Sequence, residues 1–75
     1  MRSHQPEFER IRAVLHEERP EEALTAREIL DLLEERGEEF ESAYRVATVL
    51  GRRAKRGEIE VVRSSPYRYR FDESR

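Results

Sequence analysis

The apolar residues of this chain recur at two periods, and the switch between them falls at Gly57. Phe8, Ile11 and Leu15 follow one another at spacings of three and four, which lines one face of a helix. Pro6 suits a first helical turn, where the missing amide hydrogen would have no partner anyway. Glu7 and Glu9 lie near the positive end of the dipole. Pro20 closes the segment, because the residue before a proline is disfavoured in helical conformation. The first helix is therefore expected over about residues 6–18.

Thr25 and Glu28 have the spacing of a capping box, in which each side chain takes up the other residue's free amide. Ala26, Ile29, Leu30 and Leu33 then form the buried face of a second helix over about residues 26–36, and Gly37 suits its C-terminal cap. Ala23-Leu24, just before it, is placed to pair as a very short strand. Phe40, the lone apolar residue of the next connection, is expected beneath the helix pair. Ser42 or Glu41 caps a third helix over about residues 42–56. At about 100° per residue its Ala43, Val46, Ala47, Leu50 and Ala54 cluster on one side, and Arg45, Thr48, Arg52, Lys55 and Arg56 point away. Gly51, at the edge of the buried stripe, costs about 1 kcal/mol against alanine, which points to close approach of another backbone.

Beyond Gly57 the period is two. Ile59 and Val61 alternate with Glu58 and Glu60, and Tyr67, Tyr69 and Phe71 alternate with Arg68 and Arg70. Two such runs around Ser64-Ser65-Pro66 predict a β-hairpin over about residues 58–72, with the three aromatics on its inner face. Directly opposed residues share a face, so the tip must hold an odd number of residues or a bulge. The sequence thus specifies an α+β chain in the order helix, short strand, helix, helix, hairpin.

Length and composition narrow the class. Seventy-five residues make one small domain, near the size at which a single core is marginal. With no cysteine, neither disulfides nor thiolate metal ligands supplement that core, and a reducing cytoplasm is compatible. No run approaches the roughly 18 apolar residues of a membrane span, and the N-terminus lacks a signal-peptide apolar region. A cytoplasmic protein without a membrane partner is expected. Arginine outnumbers lysine 14 to 1, a bias that fits GC-rich coding or salt adaptation, as in a GC-rich bacterium or an archaeon.

Charge changes the picture more. Asp, Glu, Lys and Arg make up 43% of the chain, yet the net charge is only −2. Residues 1–41 carry 6 basic and 13 acidic side chains, and residues 42–75 carry 9 basic and 4 acidic. Such asymmetry points to nucleic acid or another acidic surface as partner of the basic half, although a heavily solvated surface has the same composition.

A helix fits the major groove of B-DNA, where arginine bonds guanine bidentately and threonine offers a hydroxyl and a methyl. On the third helix Arg45, Thr48 and Arg52 are therefore assigned to base readout, and Arg53, Lys55 and Arg56 to phosphates. Arg63, Ser64, Ser65 and Arg68 surround the hairpin tip and are common types of phosphate partner. An ordinary solvated helix face and a cross-strand Arg70–Glu60 pair account for parts of the same pattern. His4 and His16 do not stand at ligand spacing, and no nucleophile–base grouping, Gly-rich loop or metal motif occurs. No enzyme activity, cofactor or small-molecule ligand is expected.

Two stretches carry a family resemblance. Leu50-Gly51-Arg52-Arg53-Ala54-Lys55-Arg56-Gly57-Glu58-Ile59-Glu60-Val61 looks like the end of a recognition helix, its glycine stop and a first wing strand, and Thr25-Ala26-Arg27-Glu28-Ile29-Leu30 looks like the start of a supporting helix. Over about residues 7–72 the chain resembles the winged helix-turn-helix superfamily of bacterial and archaeal transcription regulators. The resemblance implies a three-helix fold with a C-terminal hairpin wing, a wing lying along the DNA backbone or in the minor groove, and a small regulator that binds double-stranded DNA. The alternative is a winged-helix module that binds protein within a transcription, replication or chromatin assembly, which the fold alone does not separate. A homodimer would gain affinity and read a palindrome. Val14, off the main stripe of the first helix, marks its candidate surface.

Overall fold

The computed structural model describes residues 6–71. Helix α1 spans Glu7–Glu18, strand β1 Leu24–Thr25, helix α2 Ala26–Glu35, helix α3 Ala43–Lys55, strand β2 Glu60–Val62 and strand β3 Arg68–Arg70. The three helices and one three-stranded antiparallel sheet, in the order β1-β3-β2, make an α+β fold. The succession of helices followed by a hairpin is consistent with a winged helix. His4 and the expected last wing residue, Asp72, lie outside the described residues.

Each helix ends where its local chemistry stops it. Pro6 is the N-cap of α1 rather than its first residue, and Arg19, at φ 48°, closes the helix through a 2.9 Å bond from its N–H to the Leu15 carbonyl. For α2 the Glu28 N–H donates to Thr25 Oγ1 at 3.1 Å, and the Thr25 N–H donates to Glu28 Oε1 at 2.9 Å, completing the capping box. For α3 the Arg45 N–H donates to Ser42 Oγ at 3.2 Å, which makes Ser42 the cap. Both α2 and α3 end in a Schellman arrangement at a glycine of positive φ: Gly37 donates to Glu34 and Glu38 to Leu33, then Gly57 to Ala54 and Glu58 to Arg53. Thr25→Ala is expected to cost about 1 kcal/mol or more, lowering the melting temperature by about 4–8 °C. Calorimetry checks this, with Thr25→Ser, which keeps the hydroxyl, as the control.

One core holds the elements together. Phe8, Ile11, Val14 and Leu15 of α1 pack with Ile29, Leu30 and Leu33 of α2, Val46, Val49 and Leu50 of α3, and Ile59 and Tyr69 of the hairpin region. Val49 extends the expected buried stripe of α3, as its place three residues after Val46 allows. Val14 is only 6% exposed, so it belongs to this core and offers no surface to a second copy. The stripe on α1 is wider than the three-residue row in the sequence, because α2 and α3 both lie against that helix. Phe40 is half-buried at the edge of the core, with the Arg10 guanidinium 4.6 Å from its ring centre.

The register of the hairpin follows the odd-residue rule. Val61 faces Tyr69, with Glu60 opposite Arg70 and Val62 opposite Arg68, so residues 63–67 form the tip. β3 is central because β1 joins its other edge, Leu24 against Tyr69 and Thr25 against Arg68. Of the three aromatics expected inside, Tyr69 is buried and Phe71 half-buried, its ring stacked on Phe8 at 5.6 Å. Tyr67 instead lies in the tip before β3 begins and is 50% exposed, since the alternation that buries Tyr69 requires strand pairing.

Candidate nucleic-acid interface

Helix α3 packs its Val46, Val49 and Leu50 inward and leaves the opposite side open. No acidic residue occurs between Ser42 and Gly57, whereas Arg45, Arg52, Arg53, Lys55 and Arg56 all do. The residues assigned from sequence to one DNA-binding face nevertheless have different surroundings. Arg52, Lys55 and Arg56 are exposed. Arg56 approaches Glu58 at 3.9 Å, an exposed pair of the kind that contributes little. Among the described residues Lys55 has no ion pair, and the positive charge of Arg52 acts on Glu7 only as a more distant attraction.

Arg45 is held by helix α1. Its Nη2 donates to Glu7 Oε1 at 2.6 Å, and its Nε lies 3.1 and 3.2 Å from the two carboxylate oxygens. The hydrogen bond from Arg45 keeps the Glu7 carboxyl below its usual range, partial burial works against this, and the charges of Arg45, Arg10 and Arg52 add to the lowering. A carboxyl whose folded pKa is depressed stabilises the fold above its unfolded value of about 4.5 and loses that contribution as pH falls through the lower folded value. Acid unfolding is therefore expected to include a component below about pH 4.5 that Glu7→Gln removes, as thermal melts across that range would show. An unchanged pH profile in that variant would count against the pair.

Arg53 is also occupied. Its guanidinium lies 4.3 Å from the centre of the Phe8 ring and donates to Glu58 Oε1 at 2.9 Å, so it covers the edge of the core beside the helix C-terminus. The Thr48 hydroxyl donates to the Tyr44 carbonyl at 3.0 Å, a back-bond within the helix. Gly51 has no backbone crowding it: a Cβ there would meet nothing within 4 Å. The close approach expected from its sequence position is absent, because the residue lies on the open side of α3 rather than between packed elements.

In the wing, Arg63, Ser64 and Ser65 are exposed at the tip, and the Ser64 hydroxyl donates to the Pro66 carbonyl at 2.8 Å. Arg68 turns away from the tip, since β3 is central and its Nη1 donates to the Ala23 carbonyl at 3.3 Å and lies 3.5 Å from Glu28. Arg70 stands 4.0 Å from Glu60 across the strands. The fold thus gathers Arg52, Lys55 and Arg56 on α3 and Arg63, Ser64 and Ser65 on the wing as open groups. Arg45, Arg53 and Arg68 are braced internally.

Sequence reasoning passed over Tyr44, which is 81% exposed on α3. Its helical position, four residues before Thr48, was a sufficient signal. The Glu7–Arg45 pair joins residues 38 positions apart and leaves no local signal. A groove of about 400 Å³ lies elsewhere, between the end of α1 and β3, lined in part by Leu15, His16, Leu24 and Phe71. No helix among the described residues is long and apolar enough to cross a membrane. No protein-family model matches this chain, and no curated protein or solved structure matches it.

Proposed function

We propose that the chain is a winged helix-turn-helix protein that binds double-stranded DNA in the cytoplasm, as a small transcriptional regulator without enzymatic activity. The observation that carries this reading is the open side of α3, where Arg52, Lys55 and Arg56 are exposed and no carboxylate occurs from Ser42 to Gly57. A chain with 17 acidic residues leaves one helix free of them, which suits a polyanion and would repel a basic partner. In this reading α2 supports α3 in the major groove, Arg52 meets a base or a nearby phosphate, and Lys55 and Arg56 hold the backbone. Arg63, Ser64 and Ser65 carry the wing contact. Arg45, Arg53 and Arg68 fix the position of the binding elements through Glu7, Phe8 with Glu58, and Glu28, respectively.

Titration of a labelled random-sequence duplex at low salt tests this directly. A saturable mobility shift is expected, and binding should be lost when Arg52, Lys55 and Arg56 are all changed to alanine. Absence of any shift at micromolar protein would reject the reading. The second reading, docking to a protein assembly, is favoured by Val62 and Tyr67, which expose apolar surface on the wing. Stoichiometric co-purification of another protein at high salt, without DNA affinity, would select it.

A further inference from the structure

Tyr44 and Gly51 lie on the same open side of α3, and neither is required by anything inside the molecule. Tyr44 stands in the first turn of the helix and is more exposed than Val62 and Tyr67 on the wing. Seven residues on, Gly51 lies about 20° away around the helix and about 10 Å along it. Its conformation is helical and its missing Cβ leaves empty space, so it lowers helix propensity with no internal gain. Thr48, between them, has committed its hydroxyl proton to the Tyr44 carbonyl and retains an acceptor oxygen and a methyl group. Arg45, the arginine nearest the helix N-terminus, is held by Glu7. Positive charge borders this strip at Arg52, Lys55 and Arg56.

We infer, resting on the duplex-DNA reading above, that Tyr44, Thr48 and Gly51 form the base-proximal seam of α3, with Tyr44 against a thymine C5-methyl group and Gly51 admitting the helix backbone to the groove wall. Residues in the first turn of a groove-bound helix are the ones that reach base edges. Thymine alone among the bases presents a methyl group in the major groove, and an exposed aromatic ring gains by covering it. The absent Cβ of Gly51 gives the groove wall the clearance that a side chain would take. Arg52, Lys55 and Arg56 flank the seam, with Lys55 and Arg56 on phosphates and Arg52 at the edge of the base-contacting strip. Specificity at the centre of the site then rests on apolar contact with A·T pairs more than on arginine–guanine bonds.

The test starts from duplexes selected by the wild-type protein out of a random pool. Affinity at fixed salt is then measured for wild type, Tyr44→Ala and Gly51→Ala, on a selected duplex and on copies with one thymine at a time replaced by deoxyuridine, which lacks only the methyl group. At one position the replacement is expected to weaken wild-type binding about fourfold, the worth of one buried methyl, and to leave Tyr44→Ala unaffected. Gly51→Ala is expected to raise the melting temperature by about 4–8 °C while weakening DNA binding several-fold, opposite signs that a purely structural role would not give. Salt-dependent wild-type binding with no deoxyuridine position linked to Tyr44, and unchanged affinity in Gly51→Ala, would overturn the seam and leave the DNA reading standing. Tyr44→Ala that keeps its DNA affinity but loses a stoichiometric protein partner would reassign the strip to protein docking. Failure of wild type to bind any duplex at low salt would remove the DNA reading itself, and the seam with it.

Discussion

Leu50→Ala is expected to lower the stability of this protein by about 2–5 kcal/mol, a large part of the roughly 4–11 kcal/mol typical of a chain this size. Leu50 is 0% exposed and sits where α3 meets the other core elements, so no solvent-side collapse is available to fill the space it leaves. The loss combines the transfer free energy of the removed carbons with the cavity that remains, and the second contribution grows when the surroundings are tied down. Here they are tied at both ends of α3, by the Ser42 cap and by the Gly57 turn. Tyr44→Ala, on the opposite side of the same helix, should stay within about 0.5 kcal/mol of wild type. Urea denaturation of the two variants gives the comparison: the Leu50→Ala midpoint should fall sharply with a similar slope. Equal midpoints would mean that α3 does not pack as described.

The second large effect concerns salt. If the open groups of α3 and the wing contact about four phosphates, the log–log slope of DNA affinity against salt is about −3.6, and affinity falls roughly a hundredfold between 50 and 200 mM. Arg52 decides how that loss is divided. Arg52→Ala removes an exposed side chain and should leave the fold intact. If Arg52 meets a base, the change should cost about 1–3 kcal/mol and relax preference at one base pair. If it meets only phosphate, binding should weaken about equally on all sequences, with the slope reduced by about one. Salt-indifferent binding would remove the basic side of α3 from the contact, and an Arg52→Ala protein equal to wild type in affinity and slope would remove Arg52 from it.

The elements were legible because the signals that specify them are local. Capping at Thr25 and Ser42, glycine stops at Gly37 and Gly57, and the change of period after Gly57 each act within a few residues. Alternation also gave the parity of the hairpin pairing, since a one-residue slip would have turned Val61 or Tyr69 to solvent, but the choice of Tyr69 rather than Tyr67 or Phe71 opposite Val61 came only with the fold. The candidate interface was legible as a helix and a charge pattern, but not as a set of free side chains. Arg45, Arg52 and Arg53 look alike along the chain, and helix periodicity does not report what another element brings near them.

Sequence by itself determined the helices and their stops, because backbone hydrogen bonding and apolar period are properties of neighbouring residues. It put the short strand at Ala23-Leu24, one residue before the observed Leu24–Thr25, and left the hairpin tip either odd-numbered or bulged. Tertiary structure alone decided which charges remain available. Glu7 holds Arg45 across 38 residues, and Phe8 with Glu58 engages Arg53. The tertiary structure also decided that Val14 is core and that Gly51 faces open space, since packing of α2 and α3 against α1 sets how wide each buried face becomes. The physical reason is the same throughout: local order follows from chain geometry, whereas burial and ion pairing depend on distances that exist only after the elements have met.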